Sequence, residues 1–443
     1  MSRETRRTGV FTRRALLAMG VQITALGALA ARLYQVQVVE GVRYATLAHD
    51  NSVSLRMIAP PRGRILDRFG AVVAGNKQNW RALLIAEQSS DIGRTLDVFS
   101  QIVPLDDHER ARIERDIKRH RRFVPILVRD FLSWDDMARV EVNAPELPGI
   151  LIDVGATRVY PFGDLLSHVI GYVAPPSESD VNGDPMMSLP GIRVGRAGIE
   201  KSRETELRGR AGDVQLEVNA YGRVIRELGR QEGAPGDDVE LALDLDLQRT
   251  VQRRLGDESA SAVVLDCRNG EVLAMVSNPS FDPSLFNSGI PQAQWQSWMS
   301  NPRDPLVNKA VNGLYAPGST FKMAVALAAL QSRAITPNDR FFCPGYFDLG
   351  NARFHCWRIG GHGSLDLRGG LKNSCDVFFY QVALKAGIDP IAAMAHRLGM
   401  GTPLQIELPA QQVGLIPTRE WRRGHGHAWN LGDTVVSGIG QGF

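Results

Sequence analysis

Apolar and polar positions change character several times along the chain, and each change predicts an element. From Ala15 to Ala31 no residue is charged and most are apolar. Arg32 and Tyr34 close this run, while Leu33, Val36 and Val38 extend its apolar character. A helix needs roughly twenty such residues to cross a bilayer. The run reaches that length when Arg32 snorkels and Tyr34 sits at the interface. Ahead of it, Arg3, Arg6, Arg7, Arg13 and Arg14 are opposed only by Glu4. That bias predicts a cytoplasmic tail over residues 1–14, an anchor over 15–35 and a body outside the membrane. Two other readings share the segment. One is a cleaved signal peptide, with Ala28-Leu29-Ala30 as the small-x-small site. The other is a twin-arginine export signal around Arg13-Arg14. The length of the run, and the patterned segment that continues out of it, favour the anchor.

Further along, Asp67 to Gly70 reads as a turn between extended pieces at 63–66 and 71–74. Residues 106–122 carry Arg, Glu and Asp at helical spacing, and the basic run from Arg119 to Arg122 reads as part of a solvated helix face. Residues 150–235 alternate short apolar runs with Gly and Pro, which predicts strand and loop. Gly233-Ala234-Pro235-Gly236 reads as a linker, dividing a first domain at 36–235 from a second at 236–443. A strand is expected at 239–245. Two more, at 260–266 and 271–277, are joined through Arg268-Asn269-Gly270, and Asn-Gly is the strongest short hairpin signal. Residues 320–330 are apolar nearly all round and contain no breaker, which predicts a buried helix. There is no internal repeat and no low-complexity tract.

Composition narrows this picture without redrawing it. The 443 residues are too many for one ordinary domain. With 44% hydrophobic and 22% charged residues the chain is ordinary globular material. A net charge of +3 gives no reason to expect a nucleic-acid partner. Four cysteines are few for a disulfide-stapled protein.

Candidate chemistry sits at the head of the apolar helix. Ser319 and Lys322 follow Pro317-Gly318 with the spacing Ser-x-x-Lys. On a helix, positions i and i+3 share a face, so Lys322 can reach the Ser319 hydroxyl. That hydroxyl attacks poorly unless a nearby base takes its proton. A lysine desolvated in an apolar helix sheds its own proton more readily and is a candidate for that base. Free N–H groups in the first helical turn favour developing negative charge. The bland reading is an N-cap serine beside a snorkelling lysine. Ser374-Cys375-Asp376 forms a later Ser-x-Asp element, which a helix cap would also explain.

Cys343, Cys356, His362 and Cys375 form a second constellation, spaced Cys-x12-Cys-x5-His-x12-Cys. Zinc takes three thiolates and one imidazole in closed structural sites. Cys375 lies inside the Ser-x-Asp element, so a metal there would brace the loop that positions Ser374. Three alternatives stay open: a Cys343–Cys356 disulfide, which an oxidising compartment would favour; His355 in place of His362; and plain buried cysteines. Cys267 has no evident role.

Taken together these residues resemble the class B penicillin-binding proteins, and within that class the rod-elongation branch of penicillin-binding protein 2 type. The resemblance covers nearly the whole chain. It rests on residues 32–37 leaving the membrane, 61–68 in the pedestal, 195–201, 209–212 and 270–279. Ser319 to Lys322, Ser374 to Asp376, Gly432-Asp433-Thr434 and Gly440-Gln441-Gly442 complete it. It implies an α+β pedestal followed by an α/β penicillin-binding, serine β-lactamase-like transpeptidase domain, with one N-terminal transmembrane helix.

The resemblance also implies roles. Ser319 would attack the D-Ala–D-Ala carbonyl of a peptidoglycan stem peptide, with Lys322 as base. Ser374 would relay protons to the leaving amine. Asp376 would hold the Lys322/Ser374 network, although the family's usual residue is Asn, and an ionised acid there favours a charged Lys322. The backbone N–H of Ser319 would supply half of an oxyanion hole. The chemistry needs no cofactor. Implied partners are stem peptides, β-lactams, a membrane SEDS-type glycosyltransferase and other elongation proteins, in the bacterial inner membrane with the body in the periplasm. The family's third motif, Lys-Thr-Gly or Lys-Ser-Gly, is absent before Phe443. The expectation is therefore an incomplete transpeptidase domain, acylated weakly or not at all. Two other functions share some of these features: a β-lactamase or β-lactam sensor through Ser-x-x-Lys, and a non-catalytic scaffold acting through the pedestal.

Overall fold

The computed structural model describes residues 3–40, 53–119, 121–181, 184–189, 191–218 and 224–442. The segment 41–52 that begins the expected pedestal, and His120 within the basic run, lie outside them. The first element is one helix, Arg3–Tyr34. It continues into a π-helical turn, Gln35–Val39. It takes in the basic tail because no proline interrupts residues 3–15 and the one weak helix former, Gly9, does not end it. Its stretch Leu17–Tyr34 has a mean hydropathy of 1.3 and buries none of its surface in the rest of the chain. It is the helix among the described residues that is by itself long and apolar enough to cross a membrane.

Among the described residues ten strands follow: β1 (Val53–Ile58), β2 (Ile65–Leu66), β3 (Val72–Ile85), β4 (Pro125–Leu132), β5 (Ile150–Val159), β6 (Val173–Ala174), β7 (Val194–Gly195), β8 (Gly212–Val218), β9 (Val224–Gln231) and β10 (Val239–Glu240). β1, β8 and β9 form an antiparallel sheet. A second sheet is built on the 14-residue β3, which pairs with β2, β4 and β5. The turn between β2 and β3 follows from Asp67, whose Oδ1 accepts from the N–H groups of Phe69 (2.9 Å) and Ala71 (2.8 Å). Gly70 supplies the left-handed residue there, at φ 82°. The charged helix, Asp107–Arg119, buries Ile113 against this sheet. Arg112 spends its guanidinium on the carbonyls of Leu127 and Val128.

The expected strand at 239–245 is shorter than its pattern. β10 has two residues and pairs parallel with β2, inside the pedestal sheet. Asp244 ends it by capping the helix Leu245–Leu255, accepting from Asp246 and Leu247 N–H at 3.0 Å each. One apolar cluster includes Ile65, Leu166, Leu207, Leu243, Met275 and Leu408 and so runs across both halves of the chain. Buried Gln248 stitches them further, bonding Leu165 O on one side and the backbone of Met275 on the other.

In the second half, β11 (Ala260–Leu265) and β12 (Val272–Asn278) form the expected antiparallel hairpin. β13 (Phe341–Cys343) pairs with β16 (Gly363–Leu365), and β14 (Tyr346–Leu349) with β15 (Ala352–His355). The helices Lys322–Gln331, Asp376–Ala386, Ile388–Arg397 and Leu431–Ser437 pack around Val325, Ala329, Phe378, Phe379, Val382 and Val435. The expected helix at 320–330 differs in two respects. It opens as a 3-10 turn, Gly318–Phe321, before the α-helix Lys322–Gln331. It is also not buried all round. The alanines at 324, 326, 328 and 329 sit in the core, whereas Met323 and Leu327 are 61% and 46% exposed. Those two stand four apart, on the face turned away from the packed helices.

Candidate active site

Ser319 is carried by the 3-10 turn, in which residues three apart superpose, so it shares a face with Lys322. Gly318 enters the turn at φ 53°, and its N–H donates to Gly440 O at 3.0 Å. A Cβ on Gly440 would collide with the Gly318 backbone. Close approach of the Gly440-Gln441-Gly442 segment to the serine turn therefore requires glycine there. Ser319 is exposed.

Lys322 is 1% exposed. Its ammonium donates to Ser374 O (2.9 Å), Ser374 Oγ (3.2 Å) and Asp376 Oδ1 (2.6 Å). Those three acceptors match its three N–H groups. Nζ also stands 5.7 Å from the Phe379 ring centroid. Asp376 is the first residue of its helix, where the free N–H groups favour a carboxylate. Ser374 is held at φ 47°, left-handed for a residue other than glycine. Such a conformation costs roughly 1–3 kcal/mol and persists where surrounding structure over-determines it. The structure thus brings Lys322, Ser374 and Asp376 into direct contact, with Ser319 one turn away on the same face.

Sequence reasoning missed Trp357. Its backbone N–H donates to Asp376 Oδ2 at 3.0 Å, and its indole N–H to Asn373 O at 3.1 Å. Trp357 therefore holds the second carboxylate oxygen and the residue before Ser374. A tryptophan beside a candidate metal ligand carries no pattern that announces this. Next to it, Tyr380 donates to His355 O at 3.0 Å, and burial pushes its phenol well above the usual range.

Cys343, Cys356, His362 and Cys375 meet behind this loop, their ligand atoms all within 4.8 Å of one another. All four cysteines of the chain are free thiols. His362 Nδ1 lies 3.7 Å from Cys343 Sγ and 3.6 Å from Cys356 Sγ. A tetrahedral zinc with ordinary Zn–S and Zn–N lengths would separate its ligands by roughly 3.6–3.8 Å. The donor set suits that ion and these two separations match its geometry, while the four ligand atoms together span up to 4.8 Å. The His362 ring packs edge-on against Trp357, and its Nε2 is buried without an acceptor. His355 uses its carbonyl on Tyr380 and lies outside the cluster.

A pedestal of paired sheets, joined to a helical domain with a Ser-x-x-Lys turn at the head of its core helix, is the architecture of the penicillin-recognising serine acyltransferases. Comparison with known proteins takes this further. Residues 57–241 match the family model of the penicillin-binding protein dimerisation domain, and residues 260–442 that of the penicillin-binding protein transpeptidase domain. The chain is 38% identical to the peptidoglycan D,D-transpeptidase MrdA of Escherichia coli K12, over 99% of this chain and 71% of that protein. It is 35% identical to MrdA of Haemophilus influenzae, over 98% of this chain and 68% of that one. Among solved structures, PBP2 of Helicobacter pylori in complex with MreC superposes with a TM-score of 0.79 at 28% identity, over 88% of this chain and 74% of that one. The chain belongs to the penicillin-binding protein family of peptidoglycan D,D-transpeptidases.

Proposed function

We propose that Ser319 is the nucleophile of this transpeptidase and that Lys322, Ser374 and Asp376 manage its protons. Ser319 Oγ attacks the carbonyl between the last two D-alanines of a stem peptide, forming an acyl-serine ester and releasing D-alanine. The amine of a second stem peptide then takes the acyl group, creating the crosslink and freeing Ser319. A β-lactam enters by the same attack.

The observation that carries this reading is the filled donor set of Lys322. An ammonium with three acceptors has no lone pair for the Ser319 proton. Of those acceptors, the Ser374 hydroxyl is the one that carries a proton of its own to give while it accepts another. In the relay, Ser319 gives its proton to Lys322 as its oxygen attacks, while Lys322 gives one to Ser374 Oγ and Ser374 gives its own to the departing nitrogen, so the three transfers accompany one displacement and Lys322 ends as an ammonium. Asp376 Oδ1 holds the Lys322 amine against Ser374 through this exchange. Any labelling that the chain gives with a fluorescent penicillin, however weak, should disappear in Ser319→Ala. Label retained in that variant, or mapped to another residue, would refute the assignment.

The finer setting belongs to the same reading. Residues 1–14 form a cytoplasmic tail, 15–35 the anchor in the bacterial inner membrane, 36–235 a periplasmic pedestal and 236–443 the acylating domain. The pedestal is the surface for elongation partners, among them a SEDS-type glycosyltransferase. Support comes from the anchor helix and from the relative that was solved with MreC.

Cys343, Cys356, His362 and Cys375 would hold a structural zinc. The ion supplies no step of the reaction. Its ligands flank the catalytic loop directly, Cys375 between Ser374 and Asp376 and Cys356 beside Trp357. Its removal should loosen the bonds to both Asp376 oxygens. Elemental analysis of protein purified without chelator should give about one zinc per chain, and Cys343→Ser with Cys356→Ser should reduce it to background. No zinc, together with no reactive thiol at Cys343 and Cys356, would leave the disulfide in its place.

A further inference from the structure

A cavity of about 230 Å³ opens where the pedestal meets the second half of the chain. Tyr172 and Lys201 line it from the pedestal, and Phe281, Phe286, Trp295 and Asn312 from the other half. The relay around Lys322 uses none of them. The space is smaller than the roughly 300–1,000 Å³ of pockets that take drug-sized molecules, so it suits a single ring.

The aromatic residues of the wall are packed unequally. Tyr172 stacks on Phe286 with centroids 3.6 Å apart, and Phe281 meets Tyr172, Phe286 and Trp298 edge-on. Trp295 packs on no other ring among the described residues and is 39% exposed. Its indole therefore leaves a flat apolar face for a guest. Polar groups converge on the same space. The Tyr172 hydroxyl, the Trp295 indole N–H, the Lys201 ammonium and the Asn312 side-chain oxygen bond no partner among the described residues. The Tyr172 and Asn312 oxygens are open to water, and Lys201 and Trp295 are exposed residues. No carboxylate lines the cavity, and its guanidinium, Arg196, is already paired with Asp180 at 2.7 Å. With Lys201 as the single unpaired charge, the wall does not select an anion.

A purely apolar guest would strand these polar groups away from water. A saturated ring bearing hydroxyl and acetamido groups meets both features. Its C–H face lies on the indole, and its rim exchanges hydrogen bonds with the wall. We propose that this cavity binds an N-acetylated sugar of the glycan strand whose peptides the enzyme crosslinks, an inference that rests on the transpeptidase reading. Trp295 carries the ring, Tyr172 and Lys201 donate to its oxygens, and Asn312 accepts from a hydroxyl or amide. Asn312 precedes Ser319 by seven residues, a path of at most about 25 Å. One strand can thus rest a sugar here while its peptide reaches the nucleophile.

The test is a ligand-observed NMR titration of the full chain, in a detergent without a sugar headgroup, with the peptide-free trisaccharide triacetylchitotriose. Saturable binding is expected. Maltotriose, which lacks the acetamido groups, should bind about fivefold more weakly. Trp295→Ala should weaken triacetylchitotriose binding about tenfold. Tyr172→Phe keeps the ring stacked on Phe286, should fold as the parent does, and should weaken binding about threefold. Ser319→Ala should bind the sugar as the parent does, so failure of this site and failure of the nucleophile assignment appear in separate experiments. No saturable binding to folded protein at millimolar concentration overturns the proposal, as does maltotriose binding equally well. Parental affinity in both Trp295→Ala and Tyr172→Phe overturns it too, because the sugar would then sit elsewhere.

Discussion

Lys322→Met is expected to cut acylation by a fluorescent penicillin about a thousandfold relative to the unsubstituted chain, within the range usual for losing a positioned acid–base group. Methionine keeps the bulk of the buried stem but carries no proton. Ser374 Oγ then loses its partner, and the relay from Ser319 to the leaving amine has no first member. The substitution also strands Asp376, whose side chain is 15% exposed. Breaking a buried pair from one side costs roughly 3–5 kcal/mol, so a bare loss of labelling could reflect a loosened fold. The double variant Lys322→Met with Asp376→Leu separates the two effects. It removes both charges and should recover most of the thermal stability while leaving acylation lost. Acylation of folded Lys322→Met at the unsubstituted rate would sink the assignment of Lys322. Recovery of acylation in the double variant would sink it equally.

Glu200→Gln should produce the largest loss of stability in the pedestal. Glu200 is 0% exposed and is the centre of a network joining residues distant in sequence. Its Oε2 accepts from Arg62 Nε at 2.7 Å, its Oε1 from Arg158 Nε at 2.6 Å, and its backbone oxygen from Arg62 Nη2 at 3.0 Å. Arg158 continues to Gly63 O (2.7 Å) and Asn76 Oδ1 (3.2 Å), and Arg62 to Glu204 (2.7 Å). Burial, with the Glu200 carboxylate alongside, pushes the neighbouring Tyr160 phenol well above its usual range. Glutamine has nearly the same shape but no charge, so two buried guanidinium groups lose a counter-ion together. A cost of roughly 3–5 kcal/mol is expected, or about 10 °C in the pedestal's melting transition for a domain of this size. Asp246→Asn breaks the exposed pair with Arg249 and should move melting by no more than about 2 °C. If Glu200→Gln does no more than that control, the network is not what holds these segments together.

Some of this was legible along the chain. The hairpin at Asn269-Gly270, the turn at Asp67 and the long apolar N-terminal helix each follow from a few neighbouring residues, because turn chemistry and periodicity are local. The grouping of Ser319 with Lys322 is local for the same reason, since a spacing of three fixes a shared helical face. Local pattern misled at 239–245, where alternation suggested a long strand. The capping bonds of Asp244 outweighed it and started a helix. It misled again along 320–330, where apolar content implied burial on every side, but Met323 and Leu327 are left open by the way the neighbouring helices pack.

What lay beyond sequence was every decision that depends on segments far apart meeting. Sequence by itself determined the class of chemistry, the apolar N-terminal helix and the order of the elements, because these reside in residue type and short spacing. Tertiary structure alone decided that Lys322 spends all three protons on the Ser374–Asp376 loop, and that Trp357 holds that loop's other side. It also selected His362 over His355 beside the three thiols, and it placed Arg62, Arg158 and Glu200 in one buried network. Hydrogen bonds and ion pairs act over about 3 Å in space whatever the separation along the chain, so only the folded backbone could choose those partners.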